Sequence, residues 1–187
     1  ENIAKSIELV TRVLTESLIQ NRIDSPVRIH LRQQQMNGDV DSKLREAENA
    51  IRESPLPNLP KAIVKYKEAI EINNENPLLH HELGLLYRNQ GKWELALKEF
   101  MKATELSPAY SDAFRERGIA ENKIYTLAQK PSELPTGENS LAKAIELNPE
   151  DFDALASLGG ILKREERYKE SLMMYQRSTE VSGGNPY

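Results

Sequence analysis

The sequence contains no cysteine, only three histidines, and no hydrophobic run long enough to cross a membrane. A chain without cysteine forms no disulfide and offers no thiolate to a metal, which fits a reducing compartment. A membrane-spanning helix needs about 20 consecutive apolar residues. The first residues also lack the basic, apolar and small-residue order of a secretory signal. We therefore expect a cytoplasmic, or more broadly intracellular, location.

Basic residues are also too few for a general nucleic-acid binder. The chain has 25 Lys and Arg against 29 Asp and Glu, which gives a net charge of −4. We expect no nucleic-acid partner. Hydrophobic residues at 39% and charged residues at 29% describe a folded, well-solvated chain rather than a disordered one. The chain begins with Glu1 rather than methionine, so we expect it to be a fragment of a longer protein.

The motifs of common enzyme classes are missing as well. There is no G-x-S-x-G, no Walker loop and no glycine-rich dinucleotide turn. His80, His81 and Glu82 are followed by Leu83 and Gly84, so they do not reproduce the H-E-x-x-H pattern that brings two histidines to one helical face. We predict no catalytic activity, no cofactor and no metal site.

The sequence does contain an internal repeat. The segment HHELGLLYRNQGKWELALKEFMKATEL, at 80–106, aligns without gaps with LASLGGILKREERYKESLMMYQRSTEV, at 155–181. The small residues Ala69, Ala103, Ala144 and Ser178 follow one another at intervals of 34, 41 and 34 residues. The period is therefore 34, with seven extra residues in the third copy. A period of this length is typical of helical repeat arrays.

Three copies place a glycine in the middle of their first predicted helix: Gly84, Gly118 and Gly159. A glycine inside a helix costs about 1 kcal/mol relative to alanine, whereas full burial of a large apolar side chain gains roughly 1.5–3 kcal/mol. We therefore predict that these glycines lie where helices approach each other closely.

In the best copy, the residues His80, Leu83-Gly84, Tyr87, Ala96, Phe100, Ala103 and Pro108 stand in a fixed order and spacing. In this pattern the chain resembles the tetratricopeptide repeat family from about residue 42 to 182. The resemblance implies an all-α fold, a right-handed superhelix, or solenoid, of helix–turn–helix repeats. It also implies a non-catalytic scaffold that binds a protein or peptide in a concave groove. We expect repeats at about 39–76, 77–110, 111–151 and 152–185.

The two ends of the chain leave alternatives open. Residues 1–20 have helical apolar spacing, and 22–38 fit a helix somewhat better than a strand. The segment 1–38 is a cap, a degenerate repeat or the tail of an upstream domain. Asn185-Pro186 has the same offset as Asn76-Pro77, a helix-start pattern, so we expect a further repeat beyond Tyr187. Uncapped repeat ends make self-association possible, and the chain could also be a self-assembly module or a regulatory arm of an upstream catalytic domain.

The third copy departs from the family pattern. Arg117, Glu121 and Gly137 stand where leucine, an aromatic residue and alanine are usual. We predict a lengthened first helix, a projecting loop at 130–137 and a shortened second helix. The loop is either a tolerated surface insertion or a contact for a partner.

The resemblance implies that five positions in the first helix of each repeat line the groove. They are Leu78, His81, Leu85, Arg88 and Asn89, then Asp112, Arg115, Ile119, Asn122 and Lys123, then Asp153, Ala156, Gly160, Lys163 and Arg164. Five of these fifteen are Lys or Arg and two are acidic. Our candidates for partner binding are His81, Arg88, Asn89, Arg115, Asn122, Lys123, Lys163 and Arg164, with an acidic peptide as one expected partner.

Two considerations qualify that expectation. Lys and Arg near the end of a helix also complement its dipole while remaining in water. Furthermore, one subset of the family clamps the C-terminal carboxylates of heat-shock chaperones with a set of Lys, Arg and Asn side chains. This chain has Glu82 and Ile119 at two of those places, so we do not expect it to bind chaperone tails.

Overall fold

The computed structural model describes residues 38–52, 58–128 and 133–183. These residues form helices joined by turns, and no strand occurs among them. The helices are α1 (Gly38–Ile51), α2 (Leu59–Ile72), α3 (Pro77–Asn89), α4 (Trp93–Leu106), α5 (Ser111–Leu127), α6 (Glu138–Leu147), α7 (Phe152–Arg164) and α8 (Tyr168–Val181). The predicted all-α helical-repeat fold is confirmed.

Some predictions concern residues outside the described ranges. They are the N-terminal helical segment up to residue 37, the helix-start pattern at Asn185-Pro186, and part of the loop predicted at 130–137. The division of the chain into four repeats stays a prediction.

The chain divides into two compact units, Glu1–Leu86 and Tyr87–Tyr187, and the division falls within α3. In the first unit α1 packs against α2, and the buried side chains include Leu44 and Tyr66. Asn58 caps α2, because its Oδ1 accepts a hydrogen bond from the Lys61 backbone N–H at 3.1 Å. Asn76 does the same before α3, where its Oδ1 accepts from the Leu78 N–H at 3.0 Å.

The second unit is a stack of helices in chain order. Helix α4 contacts α5, α5 contacts both α6 and α7, α6 contacts α7, and α7 contacts α8. An apolar cluster at the contact of α6 and α7 consists of Leu141, Ala144, Ala154, Leu158, Ile161 and Leu162. Phe114 and Ile119 of α5 pack against the same cluster, so three consecutive helices share one core.

The seven extra residues change the lengths of both helices in the third copy, as predicted. Helix α5 has 17 residues, against 13 in α3 and in α7. Helix α6 has 10 residues, against 14 in α4 and in α8. The added turn of α5 does not extend the core, however, because Leu127 is 64% exposed.

Two of the three glycines, Gly118 and Gly159, lie at close helix contacts, as predicted. A Cβ atom on Gly118 would lie 2.7 Å from Leu141 Cγ of α6, and one on Gly159 would lie 3.2 Å from the Tyr175 ring of α8. Gly84 is buried within α3. The missing side chains at Gly118 and Gly159 therefore allow Leu141 and the Tyr175 ring to approach the neighbouring helix closely.

The unusual residues of α5 form a polar network. Arg117 Nε donates to Glu121 Oε1 at 2.8 Å, and Ser140 Oγ of α6 donates to Glu121 Oε2 at 2.7 Å. Arg117 Nη1 also reaches Thr104 Oγ1 of α4 at 3.4 Å. The buried carboxylate of Glu121 is therefore paired and hydrogen-bonded, as a buried charge must be. Polar contacts thus join α4, α5 and α6 where the family pattern has apolar side chains.

Candidate functional site

The candidate groove positions of the second unit lie mainly on α5 and α7. Helical spacing places Asp112, Arg115, Asn122 and Lys123 on one face of α5, and Asp153, Lys163 and Arg164 occupy the matching places on α7. We call these residues, with Arg88 and Asn89 at the end of α3, the candidate face.

Helices α5 and α7 run side by side in the same direction. Arg115, near the start of α5, bonds to Asp151, the residue that precedes α7, with 2.8 Å between Nη1 and Oδ2. At the other end, the Arg164 guanidinium carbon lies 5.0 Å from the centroid of the Tyr125 ring. Because contacts join start to start and end to end, the two helices are parallel. The candidate face is therefore a strip with a first end, at the helix starts, and a second end, at the helix ends.

The first end is a dense ion-pair cluster. Besides Asp151, Arg115 contacts Asp112 Oδ1 at 3.2 Å and Glu116 Oε1 at 3.6 Å, and Arg88 is paired with Glu116. Burial alone would lower the pKa of Arg115, but the carboxylates of Glu116, Asp151 and Asp112 raise it above its usual range. Asp151 also caps α7, since its Oδ1 accepts from the Ala154 N–H at 2.9 Å. The carboxylates of this cluster outnumber its guanidinium groups.

The second end carries exposed cations over aromatic rings. Lys123, Lys163 and Arg164 are exposed, and none of them forms an ion pair within the described ranges. Lys123 Nζ lies 5.8 Å from the centroid of the Trp93 ring, and Arg164 lies over Tyr125. Such cation–π contacts stabilise the positions of the charges while leaving them accessible.

The predicted site residues thus differ in their exposure and in whether carboxylates of the chain already bind them. The side chain of His81 is fully buried, at 0% exposure, so it is not on an accessible surface. Arg88 and Arg115 are bonded to carboxylates within the chain, and their role in binding a partner stays a prediction. Asn89 is exposed, and Asn122 is half-buried. Only the second end presents cations that are not engaged by carboxylates of the described residues.

Four further residues of the site were missed by the sequence interpretation. Asp151 had a local signal, because an aspartate directly before an apolar helical pattern is a typical N-cap. Glu116, Trp93 and Tyr125 had none that pointed to these contacts. Glu116 pairs with a residue 28 positions away, and the two rings are matched to their cations only by the packing of α5 against its neighbours.

Metal sites and membrane-spanning helices are absent from the described residues. Within these ranges no group of three or more His, Cys, Asp or Glu side chains could hold a metal ion. None of the helices described here is both long and apolar enough to span a bilayer.

The structure places the chain in the class of proteins that are built from stacked helical hairpins, and the short period of the sequence agrees with that class. Family models match two stretches, described as "TPR repeat" at residues 58–91 and "Tetratricopeptide repeat" at residues 77–110. Residues 58–110 of the chain thus match tetratricopeptide repeats, in agreement with the resemblance seen in the sequence. Nothing matches among the curated proteins.

Solved structures agree with this fold. The crystal structure of MamA is 15% identical, with a TM-score of 0.66, over 78% of this chain and 79% of that one. A thermophilic TPR protein of Thermus thermophilus is 14% identical, with a TM-score of 0.62, over 76% and 74% of the two chains. The first TPR of Spaghetti (RPAP3), bound to an HSP90 peptide, is 21% identical, with a TM-score of 0.57, over 68% and 96%. At these identities the likeness shows the fold. Repeats of this kind support a general role as a protein–protein interaction scaffold.

Proposed function

We propose that the chain is a non-catalytic scaffold and that it binds an acidic peptide segment at the second end of the candidate face. The observation that carries this proposal is the set of exposed cations Lys123, Lys163 and Arg164 on two parallel helices. A peptide that crosses both helices would meet all three. Asn89 and Asn122 remain secondary candidates as hydrogen-bonding groups.

The electrostatics favour a carboxylate-bearing partner at this end. Charge-assisted hydrogen bonds from Lys and Arg to carboxylates are among the stronger polar contacts that a protein surface can offer. The aromatic rings under Lys123 and Arg164 reduce the conformational freedom that the side chains would lose on binding. The first end, where carboxylates are in excess, would repel the same partner, so the peptide is expected to bind at one end only.

In this proposal Arg88 and Arg115 position the site and do not bind the peptide. The bond from Arg115 to Asp151 joins the starts of α5 and α7, and this sets the spacing of the two rows of side chains further along. The Spaghetti domain was solved with the HSP90 peptide SRMEEVD, which itself carries carboxylates. Since Glu82 and Ile119 replace two clamp residues here, we propose an acidic segment other than a chaperone tail.

The test is a titration with a fluorescently labelled Glu-rich decapeptide, with a Lys-rich decapeptide as the reference for non-specific binding. The double variant Lys163→Glu with Arg164→Glu should weaken binding of the acidic peptide at least about tenfold, because hydrogen bonds to charged groups contribute ~1.5–3 kcal/mol and 1.4 kcal/mol is tenfold. The matched control is Lys98→Glu with Lys102→Glu on α4. It makes the same change in net charge at two exposed positions of α4, a helix that contributes no residue to the candidate face.

The control pair should change the affinity less than about twofold, as expected for distant charges screened by physiological salt. Equal losses in both double variants would mean that the peptide responds only to net charge, and would contradict the proposal. An unchanged affinity in the Lys163 and Arg164 variant would contradict it directly, and would leave the cations as partners of the helix dipole.

A further inference from the structure

The added turn of α5 places an aromatic ring under a cation of the candidate face. Helices α3 and α7 have 13 residues each, whereas α5 has 17. When the three helices are aligned at their starts, they match as far as Lys123, so the added turn consists of residues 124–127. Tyr125 lies in this turn, and the centroid of its ring lies 5.0 Å from the guanidinium carbon of Arg164.

The chains of α3 and α7 turn at the offset that Tyr125 occupies in α5. The internal repeat places Gly91 and Glu166 at this offset, and both have a positive φ, +71° and +62°. A residue with this left-handed backbone ends a helix. Because α5 continues through the same offset, the third copy has a helical side chain where the second and fourth copies have a turn.

The contact between Lys123 and Trp93 is of the same kind, but its ring comes from a second helix. Trp93 is the first residue of α4, and its ring centroid lies 5.8 Å from Lys123 Nζ. Trp93 precedes the small residue Ala103 by ten positions, and the same count back from Ala144 reaches Leu134. An aliphatic side chain offers no π face to a cation. The ring of the added turn therefore replaces one that the third copy lacks at the position of Trp93.

The exposure of Arg164 does not depend on a following helix. Lys123 and Arg164 occupy the same offset in their copies, and Lys123 is exposed although α7 contacts α5. A first helix packed alongside thus leaves this offset accessible. Arg164 is exposed as well and forms no ion pair within the described ranges. Its guanidinium group combines a position above a ring with N–H donors that a carboxylate can reach.

We propose that Tyr125 is a positioning residue for the acidic-peptide site, and that the added turn of α5 holds Arg164 ready for a carboxylate of the peptide. This inference rests on the proposed function, because Tyr125 acts through Arg164. A contact between a cation and an exposed ring is worth about two- to fivefold in an equilibrium constant. Since the ring restricts the Arg164 side chain before the peptide arrives, less conformational freedom is lost on binding.

The first experiment tests the contact by NMR without any peptide. The ring current of an aromatic side chain shifts a proton above its face upfield. The Nε–H signal of Arg164, assigned by its loss in Arg164→Gln, should therefore lie upfield in the wild-type chain and in Tyr125→Phe. In Tyr125→Leu it should move to the range of exposed arginines. A wild-type signal without the upfield shift would overturn the inference.

The second experiment titrates the Glu-rich decapeptide against variants that leave the net charge unchanged. Tyr125→Leu should weaken binding about threefold, whereas Tyr125→Phe, which keeps the ring, should bind like the wild type. The matched control is Tyr168→Leu, at a ring that is 62% exposed and has no cation over it within the described ranges. It should leave the affinity unchanged. In an Arg164→Gln background, Tyr125→Leu should cause no further loss, because the ring acts through the guanidinium group.

The results distinguish a failure of this inference from a failure of the proposed function. If Lys163→Glu with Arg164→Glu weakens binding but Tyr125→Leu does not, the positioning role is wrong and the acidic-peptide site stands. A loss in Tyr125→Leu that persists in the Arg164→Gln background would also overturn the role, because the ring would then act by another route. A wild-type chain that does not bind the acidic peptide would contradict the proposed function, and the positioning role with it, even where the upfield shift of Arg164 is observed.

Discussion

Gly118 of α5 and Gly137, which precedes α6, lie in close contact. The backbone at Gly137 has a φ of +89°, a conformation that glycine adopts readily and other residues adopt at a cost. A Cβ atom there would also overlap the carbonyl oxygen of Gly118. Glycine at 137, where the family pattern has alanine, is therefore required by both the backbone conformation and the contact.

We predict that Gly137→Ala destabilises the chain by about 2–4 kcal/mol, since the left-handed conformation costs roughly 1–2 kcal/mol and steric overlap adds to it. The control is Gly91→Ala. Gly91 also has a positive φ, +71°, but no neighbouring atom lies within 4 Å of an added Cβ. The Gly91→Ala variant should therefore lose only about 1–2 kcal/mol of its free energy of unfolding.

Urea unfolding of both glycine variants, followed by far-UV circular dichroism, measures the difference. The excess loss in Gly137→Ala over Gly91→Ala reports the α5–α6 contact alone. Losses of equal size would show that the helices can separate at this point without cost.

At the scale of helices, the first hairpin is joined by reciprocal ion pairs. Lys43 of α1 contacts Glu68 of α2 at 2.9 Å, and Lys65 of α2 contacts Glu46 of α1, also at 2.9 Å. The hydrogen bond from Lys65 lowers the pKa of Glu46 below its usual range. The hydrogen bond from Lys43, followed by that from Lys65, lowers the pKa of Glu68.

These shifts have a defined consequence for pH. A carboxyl whose pKa is lower in the folded chain contributes stability above its unfolded pKa, and this contribution is lost as the pH falls through the folded pKa. We predict that Lys65→Met raises the pKa of Glu46 more than that of Glu68, and that Lys43→Met does the opposite. Titration of the side-chain carboxyl carbons by NMR, between about pH 6 and pH 2, spans the range in which glutamate protonates. Equal responses to both variants would contradict the reciprocal pairing.

The lengths of the helices could be predicted from the sequence better than the contacts of the site. A fixed period of 34 residues locates each helix, and a seven-residue excess had to fall between Gly118 and Ala144, which correctly implied a long α5 and a short α6. The partners of Arg88 and Arg115 could not be found in this way. Asp151 is 36 residues from Arg115 along the chain, and only the packing of α5 beside α7 makes it a neighbour.

The departures of α5 from the family pattern show the same limit. Arg117 and Glu121 are four residues apart, so their pairing within one helix could have been anticipated. The bond of Ser140 to Glu121 could not, because it depends on where α6 begins after the insertion. Spacing along one helix is local information, whereas contacts between helices depend on the tertiary structure.

At the scale of the whole molecule, a repeat architecture predicts that a destabilising substitution loosens only the hairpins near it. In a chain of stacked hairpins each hairpin contacts only its neighbours, so stability is approximately a sum of local contributions. The two compact units each contain buried leucines, Leu44 in the first and Leu141 in the second. These two residues offer a matched pair of truncations.

We predict that Leu141→Ala, which removes a fully buried side chain from the core shared by α6 and α7, costs about 2–5 kcal/mol. Amide hydrogen exchange measured by mass spectrometry should then rise mainly in α5, α6 and α7, with little change in α1 and α2. Leu44→Ala should produce the reverse pattern. As a surface control, Val64→Ala, at a position 51% exposed, should change exchange in neither unit, because such truncations stay within about 0.5 kcal/mol. A uniform rise across all helices in either leucine variant would show that the chain unfolds as one cooperative body, and would contradict local behaviour.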